Sequence, residues 1–75
     1  MMQRRPIDRE EFYNACKRVV QECPDGYARN YARAGLEMKD QDEMRMQVLY
    51  IVNNLKTWRG DEARRVKMIF RGMRI

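Results

Sequence analysis

Histidine and serine are absent from this sequence, and threonine occurs once, as Thr57. Those gaps remove most of the side chains that enzymes use as general bases and hydroxyl nucleophiles. No apolar run approaches the ~18 residues needed to cross a bilayer. The basic start, Met1-Met2-Gln3-Arg4-Arg5-Pro6, leads into Ile7-Asp8-Arg9-Glu10-Glu11 without the apolar segment of a signal peptide. The expected location is therefore the cytoplasm. Strand-like alternation of useful length, linkers and low-complexity stretches are missing too.

What is present suits a small folded domain. The 75 residues are 44% hydrophobic and 36% charged, too apolar for a disordered chain and too charged for a membrane protein. A chain of this length buries only about 60% of the surface it exposes when unfolded. It must pack efficiently, oligomerise or lean on a partner. One domain over residues 1–75 is expected, with residues 1–6 flexible.

The two cysteines, Cys16 and Cys23, are seven apart within one predicted helix. Two helical turns separate their backbones by about 10.5 Å, beyond the ~7 Å limit of a disulfide. They share a face with Phe12 and Val19 and read as reduced core thiols. A metal site would need further soft ligands, and no histidine supplies them. No metal and no cofactor are expected.

The net charge of +5 is unevenly placed. Residues 58–75 hold six bases and two acids, net +4, whereas residues 40–57 hold two bases and three acids, net −1. A basic end suggests an acidic partner, either nucleic acid or an acidic protein surface. Improved solubility is the plainer reading.

Helical periodicity covers most of the chain. Asp8 and Glu11 make a capping box, with Ile7 and Phe12 as a hydrophobic staple. Phe12, Ala15, Cys16, Val19, Val20 and Cys23 then follow one helical face, opposite Asn14, Lys17 and Gln21. Pro24 ends this helix and Pro24-Asp25-Gly26 is turn chemistry. A second, short helix repeats Tyr-Ala-Arg from Tyr27 and again from Tyr31, placing Arg29 above Arg33 on one stripe. Gly35 reads as its C-terminal cap, and Leu36 and Met38 fold back on the core. Asp40 and Glu43 open a third helix with another capping box. Met44, Val48, Ile51, Val52 and Leu55 form its stripe, but Met46, Leu49 and Tyr50 lie on the other side. A helix apolar on two sides is usually buried on both. Trp58-Arg59-Gly60 breaks the pattern, with Trp58 as an anchor between helices. Asp61 and Glu62 then start a fourth helix, whose inner face is Ala63, Val66, Ile69, Phe70 and Met73. Arg64, Met68 and Arg71 project outward, flanked by Arg65 and Lys67. The expected fold is all-α, a compact bundle of three to four helices at about 8–23, 26–35, 41–57 and 61–72, with the third helix (41–57) central.

Catalysis finds little support. The clustered acids Asp40, Asp42 and Glu43, and Asp61 with Glu62, sit at predicted helix starts, where capping and the helix dipole explain them. A cysteine nucleophile would lack its histidine base. No glycine-rich phosphate loop is present. The expectation is a protein that binds and is not an enzyme.

Two kinds of surface remain. The fourth helix offers Arg64, Arg65, Lys67, Met68 and Arg71, with Arg59 before it and Arg74 after it. Methionine among arginines suits a protein interface, and a protein partner with an acidic surface is preferred. Nucleic acid is the alternative, using the same helix with Arg29 and Arg33: arginine neutralises phosphate, and tyrosines stack on unpaired bases. Against it, the third helix, turn and fourth helix only superficially match a helix-turn-helix. The end that would read DNA carries Asp61 and Glu62, which repel phosphate. Tyr27 and Tyr31 more simply pack on the core, leaving the arginines solvated. Met46, Leu49 and Tyr50 form the second surface. They are core if the first two helices cover them, the favoured reading, and a homodimer or partner surface if not. No membrane partner is expected.

The block from Glu43 to Lys67 carries a resemblance as well. Glu43, Arg45 and Gln47 are followed by Leu49-Tyr50-Ile51, Asn53-Asn54-Leu55, Trp58-Arg59-Gly60, Ala63 and Val66-Lys67. This pattern resembles small helical proteins encoded by phages and prophages, over about a third of the chain. It includes no catalytic motif. The resemblance implies a protein that binds and modifies a host machine, such as a polymerase, a nuclease or a CRISPR complex, in the host cytoplasm. An inhibitor that mimics DNA would be strongly acidic, which this chain is not.

Overall fold

The computed structural model describes residues 6–73. They form four helices and, among the described residues, no strand: α1 (Arg9–Glu22), α2 (Gly26–Gly35), α3 (Gln41–Asn53) and α4 (Asp61–Gly72). The expected flexibility of residues 1–6 falls, apart from Pro6, outside the described residues.

Three aspartates start three helices. Asp8 Oδ1 accepts from the Glu11 amide at 3.2 Å, Asp25 Oδ1 from Ala28 at 2.9 Å and Asp40 Oδ2 from Glu43 at 3.0 Å. Each satisfies an amide that the first helical turn leaves without a partner. Asp25 is thus a helix cap as well as a turn residue. Gly60 starts α4 with no side-chain cap, at φ 111° and ψ 175°. That backbone region is open almost only to glycine.

Helices α1 and α4 run antiparallel, as two ties between them show. Phe12 on α1 meets Phe70 on α4 edge to face at 6.4 Å, and Arg18 Nε reaches Glu62 Oε1 at 3.2 Å. The buried Gln47 on α3 donates to the Tyr31 carbonyl on α2 at 2.7 Å. Gln41 holds both backbone groups of Ile7, accepting from its amide at 2.7 Å and donating to its carbonyl at 3.1 Å. The Tyr13 hydroxyl donates to the Met38 carbonyl. All four helices send residues into one core around Phe12, Val19, Met44, Ile51, Val66 and Phe70. Cys16 and Cys23 lie in it as free, buried thiols, Trp58 is buried, and Leu36 and Met38 pack against it as expected.

Four expectations are corrected. Gly35 is not a left-handed cap, since Gly60 alone among the described residues has positive φ. A Cβ on Gly35 would lie 3.0 Å from Cys16 Sγ and 3.1 Å from Phe12 Cζ, so the glycine lets α2 approach α1. The third helix ends at Asn53 and not near residue 57. Asn54 Nδ2 donates to the Tyr50 carbonyl at 2.8 Å, supplying a last-turn carbonyl with a partner and leaving the chain free to turn. Leu55 stays buried from that turn. Nor is α3 buried on both sides: Met46, Leu49 and Tyr50 face solvent, with Met46 51% exposed, and the contact Tyr50 makes with α2, its stack on Tyr31, lies on the surface. Tyr27 is 71% exposed, and Tyr31 stacks on Tyr50 at 5.6 Å on the surface. The second helix buries alanines and not these rings.

Candidate binding face of helix α4

The outer arc of α4 carries Arg64, Lys67, Met68 and Arg71, because residues three, four and seven apart share a helical face. Arg64, Met68 and Arg71 are exposed, Met68 at 65%. Residues 54–60 run back beside this arc and bring Lys56 and Arg59 to it. The result is a concavity of about 370 Å³. Its charged lining consists of Lys56, Arg59, Arg64, Lys67 and Arg71, and no acid lines it among the described residues. Trp58 and Gly60 complete the wall.

The electrostatics of this hollow are one-sided. Lys67 is half-buried, and its ammonium donates to the Trp58 carbonyl. That bond fastens the turn to α4. A carbonyl carries no full charge, and no carboxylate pairs with Lys67 among the described residues. Arg64 lies near Asp61 at 3.9 Å, but the Asp61 side chain is 95% exposed and outside the concavity. Exposed pairs at that separation contribute little. Cations of one sign around a hollow focus potential and raise the local concentration of anions.

The sequence-derived site residues divide accordingly. Arg59, Arg64, Lys67 and Arg71 come together, with Met68 beside them. Arg65 turns toward α1: it reaches Glu62 Oε2 at 3.7 Å, and Glu62 also takes Arg18. Glu62 therefore bridges α1 and α4 besides starting α4. Arg74 lies outside the described residues. Arg29 and Arg33 do not act as one stripe. Arg29 is half-buried and donates to the Cys23 carbonyl at 2.8 Å, closing the end of α1, while Arg33 donates to Asn30 Oδ1 at 3.2 Å on the surface. Lys56 was missed. Only the early end of α3 swings it toward α4, and the Asn53-Asn54 pair was the available signal, since asparagine favours turns over helix interiors.

The second surface spans α2 and α3. Tyr27 and Tyr31 on α2 and Met46, Leu49 and Tyr50 on α3 are exposed, and the Tyr31–Tyr50 stack joins the two helices. Asp42 and Glu43 lie at one end of it, beside Met46.

No family model, no curated protein and no solved structure matches this chain.

Proposed function

We propose that this is a non-catalytic binding protein that engages an acidic protein surface through the outer face of α4. The observation carrying this reading is the hollow that, among the described residues, is lined by five cations and no acid, with an exposed methionine beside it. Arginine supplies directional, charge-assisted hydrogen bonds to carboxylates, and Met68 supplies adaptable apolar contact. On the resemblance of residues 43–67 to small phage proteins, the partner is a host machine that handles nucleic acid. The protein then acts as its inhibitor or accessory factor, for example as an anti-CRISPR or polymerase-binding protein. The cytoplasm is the proposed site of action.

Nucleic acid is the second reading, since the same cations suit phosphate. Two observations weaken it. Trp58 is buried, so among the described residues the lining of the hollow offers no free ring for base stacking, and Asp61 stands exposed at its edge. The test is an Arg64→Glu/Arg71→Glu variant, checked for folding by circular dichroism. On the proposed reading its affinity for the protein partner falls about a hundredfold. Unchanged affinity would remove the assignment. Titration with duplex and single-stranded DNA at two salt concentrations addresses the alternative, because phosphate contacts make affinity fall steeply with salt.

A further inference from the structure

We infer that the hollow between α4 and residues 54–60 is a site for one phosphate-type oxyanion, whose binding competes with the acidic partner. The inference rests on the proposed reading of the α4 face and adds a small ligand to it. Lys67 is its centre. This ammonium has three protons and gives one to the Trp58 carbonyl, so two remain to donate. It is half-buried and has lost part of its hydration without gaining a carboxylate. A partly desolvated charge is stabilised by a counterion, and among the described residues no acid lines the hollow, Asp61 standing at its edge beside Arg64.

Lys56, Arg59, Arg64 and Arg71 surround it with exposed side chains. A compact, doubly charged group with several acceptor oxygens matches such a ring better than a single carboxylate, because it takes several charge-assisted hydrogen bonds at once. Gly60 keeps one wall low: nothing lies within 4 Å of where its Cβ would be. The volume of about 370 Å³ admits phosphate alone or a phosphoryl group carried on a nucleotide. An acidic partner must neutralise the same cations, so the two ligands exclude each other.

The experiment follows backbone amide signals of the isotope-labelled chain during titration with inorganic phosphate, with chloride adjusted to hold ionic strength constant. Saturable shifts confined to residues 56–71 are expected, with a dissociation constant of about 1 mM or below. Lys67→Met keeps the aliphatic stem and is expected to weaken binding about tenfold or more. Should that variant not fold, the exposed pair Lys56→Gln/Arg59→Gln makes the same test. AMP and adenosine in parallel separate the sources: equal affinity for AMP and phosphate assigns the site to the phosphoryl group alone, and tighter AMP binding assigns it to a nucleotide. Binding of adenosine, shifts linear in phosphate, or shifts unchanged in the variants would overturn the inference. If phosphate fails to bind while Arg64→Glu/Arg71→Glu still loses the protein partner, the oxyanion site fails and the partner face stands. If phosphate binds and the reversal spares the partner, the partner face is the part that fails.

Discussion

The two exposed faces of this bundle differ in kind. The α4 face is a ring of cations with one methionine, and the α2/α3 face is three tyrosines, a methionine and a leucine with two acids at one end. The first is held by a turn: Gly60 sets its backbone and Lys67 ties it to Trp58. The second is held by a seam, where Gly35 lets α2 settle on Cys16 and Phe12. Charge complementarity steers encounter and sets partner preference, whereas an exposed apolar patch marks an interaction surface without naming its partner. That contrast is why the partner is assigned to α4.

The difference in how the faces are held can be broken selectively. The largest effect is on both together. Burial pushes the Cys16 thiol from 9.0 up to about 12. In the unfolded chain the thiol ionises near 9, while in the folded chain it stays neutral. Its contribution is therefore fully present below pH 9 and is lost as pH rises from 9 to 12, by about 4 kcal/mol in all. Denaturant melts across that range are expected to fall more steeply for the native chain than for Cys16→Ala. Equal slopes would contradict the buried thiol.

Gly35→Val attacks the seam. Its Cβ meets Cys16 Sγ and Phe12 Cζ, and a branched side chain adds more overlap. A loss of roughly 3 kcal/mol is expected from overpacking, with amide shifts spreading through α1 and α2 and sparing the first turn of α4. Pairing a milder Gly35→Ala with Cys16→Ala removes the sulfur contact and is expected to recover part of the single variant's loss.

Gly60→Ala attacks the turn instead. An alanine at φ 111° is strained, at about 2 kcal/mol. Amide shifts are expected around Trp58–Arg64, with the α2/α3 face unmoved. Shifts reaching Tyr31 and Tyr50 would show that the two faces are not independent. The smallest effect belongs to Tyr50→Ala, which loses its stack on Tyr31 at a cost of about 1 kcal/mol. It is expected to leave every property of α4 unchanged.

These elements also show what could be read from the residues alone. The inner faces of α1 and α4 were legible because apolar spacing of three and four admits one burial pattern. The same spacing named Arg64, Met68 and Arg71 as outward-facing. Gly35 was misread because a helix-ending glycine and a close-approach glycine look alike in sequence; only the distance to Cys16 separates them. Tyr27 and Tyr31 were placed on the core, but Ala28 and Ala32 fill that side of α2. The hollow itself was hidden, since it depends on where α3 stops and not on any motif. Gln47 was equally hidden, a polar residue buried because a carbonyl on the neighbouring helix accepts its proton.

The assignment of function to α4 is tested most directly by a comparison of baits. The native chain, Arg64→Glu/Arg71→Glu and Tyr31→Ala/Tyr50→Ala, each confirmed folded, are used to capture protein from a cell lysate at equal loading, with bound protein quantified. The same acidic protein is expected on the native chain and the tyrosine variant and is expected to be lost from the charge-reversed one. Retention by the charge-reversed variant with loss from the tyrosine variant would contradict it.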